Sequence, residues 1–269
     1  MFIYWSDFML LTIDIGNSYI SSGCFDGERL VFVSDIVTDI KKSSDQYAVE
    51  MLQINKLYNV LPKDITGAII CSVVPELTET IKNAVNKICG VDALIVGPGV
   101  KSGLKISIDN PAQLGADTVA TAVGALERFR TPIVICDFGT ATVFGVIDNS
   151  QSFAGMIISA GVGTTLDALT KRTALLPQVS ITKPKKLVGT NTVESIQSGL
   201  INGTAAMVDG IVNRLKNEYG EELTVVATGK YAKKIIPMCT EKAQIFEHLV
   251  FYGLKSIYEK NTLNKKGQI

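Results

Sequence analysis

Ile133-Val134-Ile135-Cys136-Asp137-Phe138-Gly139-Thr140-Ala141-Thr142 is a continuous apolar run that ends abruptly in an acid, a glycine and hydroxyls. The β-favouring residues before Asp137 predict a buried strand. Gly139 lets the backbone turn and approach a ligand, and Thr140 and Thr142 can offer hydroxyls and amides to phosphate oxygens. A carboxylate beside phosphate is tolerable only with a cation between them, so Asp137 reads as a metal-holding residue.

The same device occurs earlier, as Leu10-Leu11-Thr12-Ile13-Asp14-Ile15-Gly16-Asn17-Ser18. Both copies continue into a second strand. Ile20 to Phe25 follows the first and closes at Asp26-Gly27, a strong hairpin turn, while Val143 to Ile147 follows the second and closes at Asp148-Asn149-Ser150. A Walker loop would need a glycine-rich turn with Lys-Ser or Lys-Thr opening a helix, and a dinucleotide fold would need G-x-G-x-x-G. Neither stands here. A repeated hairpin with an acid at each turn predicts two similar domains facing each other across a nucleotide cleft.

The remaining pattern fits that architecture. Leu30 to Val33 predicts a third strand, a helix runs to about Tyr58, Gly67 to Val74 is a buried strand, and Glu76 to Lys87 is helical behind Pro75. The order is β-β-β-α-β-α. A helix from about Gly115 to Arg128 puts Asp117 in its first turn, where peptide amides favour an ionised carboxylate; from position alone it is a helix-capping acid. In the second half, Met156 to Ile158 is a strand, Gly161 to Thr170 a helix, and Asn191 to Lys216 a long helix. Thr224 to Ala227 is a last core strand and His248 to Glu259 a closing helix.

These pieces resemble a known family. The repeated Asp-x-Gly turns are similar to those of the actin, sugar-kinase and heat-shock ATPase superfamily. Along nearly the whole chain after Met9 the details resemble the type III pantothenate kinases. The motifs that carry this are Asp14 to Ser18, Ser72-Val73-Val74-Pro75, Gly97-Pro98-Gly99, Asn110-Pro111, Gly115-Ala116-Asp117, Asp137 to Thr142, Gly189 to Thr192, Gln197-Ser198-Gly199 and Ala227-Thr228-Gly229.

The resemblance implies an α/β fold of two ribonuclease-H-like lobes, residues 9–128 and 129–261, and transfer of the γ-phosphoryl of ATP to the primary hydroxyl of pantothenate. It makes the turn Asp14, Ile15, Gly16, Asn17, Ser18, Tyr19, Ile20 and Ser21 the phosphate cradle, with Asp14 holding Mg2+ mainly through water. It makes Thr140 an ATP contact, Asp137 the ligand of a monovalent cation (K+ or NH4+) and Asp117 the general base. Gly115, Ala116, Asp117, Thr118 and Thr192 would line the pantothenate pocket, although Asn191-Thr192 also suits a plain helix cap. Family members are dimers with the acceptor site at the subunit interface, so the partner is either a second copy or a homologous subunit.

The chain departs from the family pattern in places. Thr118 stands where arginine is usual, Val143 where a second threonine is, and Lys230 where a second glycine is; Ala154 and Ala160 replace a glycine and a proline. A planar guanidinium is not replaced by a threonine. Besides a pantothenate kinase, the departures leave open a kinase of another small hydroxyl substrate and an impaired paralogue that works in a mixed dimer or as a regulator.

Composition narrows the partners. At 269 residues the chain can bury roughly 75% of its unfolded surface, enough for two lobes. Lys plus Arg and Asp plus Glu are both 26, so neither a nucleic-acid footprint nor a polybasic membrane patch is indicated. The five cysteines form no C-x-x-C pair and read as small buried thiols in a reducing cytoplasm. His248, the single histidine, reads as structural. No apolar run reaches membrane-span length, and the opening residues lack the basic start of a signal peptide. Met1 to Phe8 precedes the resemblance and reads as an upstream-start extension or leader.

Overall fold

A computed structural model of the chain describes residues 9–266, with side chains to residue 262. The expected leader at Met1 to Phe8 lies outside the described residues. The chain divides into two compact units. One comprises the chain up to Gly103, Asn110–Gly124 and the chain from Val250; the other comprises Leu104–Asp109 and Ala125–Leu249.

The first unit is built on strands β1 (Met9–Ile15), β2 (Tyr19–Asp26) and β3 (Arg29–Val37), helix α1 (Ser44–Leu57), β4 (Ile65–Ser72), α2 (Pro75–Cys89) and β5 (Leu94–Ile95). The sheet order is β3-β2-β1-β4-β5. β1 pairs antiparallel with β2 and parallel with β4, so it is the central strand, and its near-continuous apolar sequence suits burial on both faces. Leu11, Ile13 and Ile15 meet Tyr47, Met51, Leu77 and Ile81 of α1 and α2. α1 starts at a capping box in which Ser43 and Gln46 satisfy each other's amides. Pro75 opens α2, where its missing N–H has no partner to lose, and Gly90 ends the helix in the left-handed conformation.

The other face of this sheet is covered from later in the chain. After β6 (Lys105–Ile106), which belongs to the second unit, comes α3 (Ala116–Leu126). On the same face Phe25 meets Tyr252 edge to face at 5.1 Å, and Gly23 and Gly67 leave room for Phe251 and Tyr258.

The second unit repeats the scheme with β7 (Ile133–Phe138), β8 (Ala141–Ile147), β9 (Ser152–Ala160), α4 (Val162–Arg172), α5 (Thr192–Tyr219), β10 (Thr224–Thr228), α6 (Ala232–Ile235) and β11 (Gln244–Ile245); α7 (Leu249–Lys266) then returns to the first unit. Its sheet order is β11-β10-β7-β8-β9-β6, in which β9-β8-β7-β10-β11 has the connectivity of β3-β2-β1-β4-β5. β7 pairs antiparallel with β8 and parallel with β10, as β1 does with β2 and β4. Val134, Cys136 and Phe138 pack under α4 and α5. The β-β-β-α-β-α half-module is therefore present twice. β9 is longer than its predicted apolar segment, because opposite Val146 and Ile147 it carries an extra residue, Ala154, that breaks the alternation which would mark its start.

Gly253 lies against the α3 backbone: an added Cβ would strike the carbonyl oxygen of Ala120 and come within 2.9 Å of the Gly124 nitrogen. Gly253→Ala is expected to destabilise the fold by about 1 to 3 kcal/mol, the cost of overpacking a rigid contact. Gly203, inside α5 with nothing within 4 Å of an added Cβ, is the control. Gly203→Ala should stabilise by up to about 1 kcal/mol through helix propensity. Denaturant unfolding of both variants measures the difference, and equal midpoints would contradict the α3–α7 contact.

Candidate functional site

In the first unit, β1 and β2 part after the Ile15–Ile20 pair, and Gly16 to Tyr19 makes the turn. The Gly16 N–H donates to the Tyr19 carbonyl at 3.0 Å. Thr38, just beyond β3, fixes the turn from one side: its hydroxyl donates to Gly16 O at 2.7 Å and its N–H to Ser18 O at 3.1 Å. Since N–H and C=O of a trans peptide point opposite ways, the Asn17 and Tyr19 amides point away from Thr38. Asn17, Ser18 and Tyr19 are exposed. The turn therefore presents an amide edge of the kind that cradles phosphate oxygens.

Asp14 stands at the half-buried end of β1, opposite Ser21 on β2 and Cys71 on β4. The Cys71 thiol donates to Asp14 Oδ1 at 3.3 Å. Ser21 is engaged elsewhere, donating to Asp35 Oδ1 at 2.6 Å. Burial pushes the Cys71 thiol well above its ordinary pKa, and the carboxylates of Asp14 and Asp117 push it further. Asp14 thus bonds the buried thiol directly, and Asp117 acts on it through its charge.

Asp117 lies in the first turn of α3, and Thr118 donates to its Oδ1 twice, through N–H at 2.7 Å and through its hydroxyl at 3.3 Å. Asn110 initiates the preceding turn by accepting the Ala112 N–H at 3.2 Å. Gly115 is required for space, because a Cβ there would collide with the Asp117 carboxylate.

The second unit builds the companion turn. β7 and β8 part after the Phe138–Thr142 pair, and the Gly139 N–H donates to Ala141 O at 3.0 Å. The Thr140 carbonyl accepts from Gly161 N at 3.1 Å and from the Thr164 hydroxyl at 2.7 Å, which ties the start of α4 to the turn. Thr140 itself is exposed. Asp137 is half-buried at the end of β7, opposite Thr228 on β10. Beyond Thr228 the chain turns at Gly229, whose φ of +85° favours glycine, and an added Cβ there would lie 2.5 Å from Asp137 Oδ1.

Thr192 begins α5 behind Asn191, whose side chain accepts the Glu194 N–H at 2.9 Å, so the cap expected at this pair is present. Thr192 also lines a cavity of about 430 Å³ between α4 and α5, with Thr165, Leu169, Leu176, Ser195 and Ile196. Among the described residues no cluster of three or more His, Cys, Asp or Glu could cage a metal. Single carboxylates at strand ends remain, the arrangement used where phosphates supply the other ligands.

The first unit thus brings Asp14, the turn to Ser21 and Cys71 to one sheet end, with Gly115 to Thr118 at the start of α3 in the same unit, and the second brings Asp137, Thr140 and Gly229 to the equivalent end of its own sheet. Thr38, Cys71 and Thr164 escaped the sequence reading. Their contacts join residues far apart in the chain, and none stands in a motif that marks a turn partner.

Comparison with known proteins follows the same lines. The family profile described as "Type III pantothenate kinase" matches residues 10–214. The type III pantothenate kinase of Citrifermentans bemidjiense is 38% identical over 253 residues, 94% of this chain and 100% of that protein. That of an Exiguobacterium species is 39% identical over 257 residues, 94% of this chain and 99% of that protein. Among solved structures, the activator of 2-hydroxyisocaproyl-CoA dehydratase from Clostridium difficile with bound ADPNP aligns at a TM-score of 0.57 and 13% identity, covering 97% of this chain and 98% of that one. MreB 5 of Spiroplasma citri bound to AMPPNP aligns at 0.52 and 12% identity, over 97% and 99%. The fold is that of the actin-like ATPases.

The cysteines outside this site are held as thiols at neutral pH. Burial first, then Cys89 and Asp26, pushes Cys24 up to about 12; burial pushes Cys89 to about 11 and, with Asp209, Cys239 to about 12. Only the thiolate attacks a disulfide reagent, so Cys89 at pH 7 should react roughly 100-fold more slowly than a thiol with the ordinary value of 9.0. Its labelling rate should rise about tenfold per pH unit until pH nears 11. Stopped labelling with a chromogenic disulfide measures this, and a rate that levels off near pH 7 would mark a reactive thiol the structure does not hold.

Proposed function

The chain belongs to the type III pantothenate kinase family, and from that premise we propose how its own residues divide the phosphorylation of pantothenate to 4'-phosphopantothenate at the expense of ATP. The observation that carries the proposal is Asp14 at the end of β1 beside an amide-edged turn, bonded by the Cys71 thiol, with Asp117 at the start of α3 in the same unit. It supports reading Asp14 as the carboxylate that faces the metal and Asp117 as the base.

The Asn17 and Tyr19 amides receive phosphate oxygens, and the Gly16 turn keeps its shape because Thr38 holds its carbonyls on the far side. Asp14, aligned by the Cys71 thiol, faces the phosphates, where bound Mg2+ would neutralise charge on the transferring group. One carboxylate without further protein ligands fits this ion, which keeps most of its waters and takes other ligands from phosphate. Asp137 holds a monovalent positive charge beside the second turn, where the Gly229 backbone lies against its carboxylate without a Cβ between them. Thr140 contacts ATP from the end of that turn.

Asp117 accepts the proton as the primary hydroxyl of pantothenate attacks the γ-phosphorus; the new O–P bond forms while the bond to the ADP oxygen breaks. Thr118 orients the carboxylate through its amide and hydroxyl. Gly115, Ala116 and Thr192 line the acceptor pocket. Leu175, Leu187 and Val188 are 89%, 73% and 77% exposed, and Ile158 and Val193 are exposed as well. Such a set suits association with a second copy or a homologous subunit. Free thiols suit the cytoplasm, and no helix among the described residues is long and apolar enough to cross a membrane.

Asp117→Asn should leave the unfolding midpoint in place and lower phosphoryl transfer by about 10² to 10⁴, the worth of a positioned base. A coupled ADP-release assay with pantothenate, Mg2+ and ATP reads it. Unchanged turnover would remove Asp117 from the chemistry.

Thr118 gives the acceptor site an uncharged residue where a guanidinium would grip the carboxylate of pantothenate. Lacking that partner costs roughly 2 to 5 kcal/mol, about 30-fold to several thousand-fold in affinity. Thr118→Arg should lower the KM for pantothenate by at least about 30-fold while leaving that for ATP alone. An unimproved KM, with full activity appearing only on mixing with a homologous subunit, would point instead to the mixed dimer.

A further inference from the structure

We propose that Lys230 supplies, from within the chain, the single positive charge that Asp137 needs beside phosphate, its ε-ammonium taking the place of a free monovalent cation. This rests on the reading of Asp137 as a cation-holding residue and asks which cation it holds.

The geometry follows from one close approach. Gly229 presses its backbone onto the end of β7, so that a Cβ at this position would meet Asp137 Oδ1 at 2.5 Å and the Phe138 nitrogen and carbonyl carbon at 2.8 Å. Lys230 is the next residue, its Cα about 3.8 Å along the chain. Its flexible four-carbon stem is long enough to bring the ammonium back to the carboxylate.

The chain does not leave this sheet end after Gly229. The Tyr231 N–H reaches the Phe138 carbonyl at 3.4 Å, and the Ala232 N–H donates to Gly229 O at 3.2 Å. Lys230 is therefore held on a bend close to the end of β7 that carries Asp137, and it is exposed. Lys233 pairs with Glu247 at 2.6 Å, and Lys234 donates to the Ile181 carbonyl at 2.7 Å.

The chemistry is that of substitution at nitrogen. A lysine ammonium is an ammonium ion with one hydrogen replaced by carbon, carrying the same charge and three of the four N–H donors. A site that accepts ammonium accepts this group on charge and hydrogen bonding alike. Tethering it removes the entropy of recruiting a free ion, so the site stays filled when potassium is absent.

Calorimetric titration with MgADP separates the possibilities, using wild type, Lys230→Ala, Lys230→Gln and Asp137→Ala in choline, potassium and ammonium chloride at equal ionic strength. Wild type should bind MgADP equally well in all three salts. Both Lys230 variants should bind about tenfold more weakly in choline and recover in potassium or ammonium. Potassium-dependent binding by the wild type would overturn the inference while leaving Asp137 as the cation residue. Weakened variants that no cation rescues would make Lys230 a phosphate contact only, and unweakened variants would give it no part; either overturns the proposal. Wild-type binding by Asp137→Ala in every salt would instead remove the reading on which the inference rests.

Discussion

A strand buried on both faces cannot carry a charge along its length, and its acid can stand only where the sheet stops. β1 and β7 are the central strands of their sheets, each paired antiparallel on one side and parallel on the other. Apart from Thr12, whose hydroxyl donates to the Gly23 carbonyl, apolar residues fill both faces until the last positions, where Asp14 and Asp137 are half-buried. Desolvation forbids either carboxylate one pleat earlier, and full exposure would give it nothing to do. The parallel neighbours matter equally, because β4 and β10 end beside the acids and deliver Cys71 in one unit and Gly229 in the other.

The two units use one device and support it differently. The first turn spans Gly16 to Tyr19 and is held from outside by Thr38, a residue after β3. The second is a residue shorter, Gly139 to Ala141, and is held by Gly161 and Thr164 at the start of α4. A polar side chain braces each, but it comes from a strand end in one unit and from a helix in the other. Equivalent topology has been kept while the bracing residues diverged.

What could be read from sequence and what could not follows the range of the interactions. The apolar runs ending in Asp-x-Gly marked the central strands and the acids, because a buried strand and a tight turn are both local statements. Asp117 was legible as an acid at a helix start, and Gly115 before it as a small residue. That Gly115 must be small so as not to displace Asp117 became visible only in three dimensions. β6 and β11, of two residues each, are too short to show any period and exist because a longer neighbour offers an open edge. Lys230 read as a mere departure from pattern. The close approach of Gly229 to Asp137 became visible only in three dimensions, and it is what raises the question of Lys230.

The contact of Gly253 with Ala120 also orders events on the ribosome. α7 is synthesised after every residue of the second unit, yet it packs on α3 and on the β2 and β4 face of the first. The second unit has all its segments in hand once Leu249 has emerged. The first must wait, with the apolar side of its sheet around Phe25 uncovered, until the last helix arrives. For this chain the usual precedence of N-terminal domains in folding during synthesis is reversed. Nascent chains stalled before residue 250 would consequently carry a finished second unit behind an open first one, the form most exposed to chaperones and proteases.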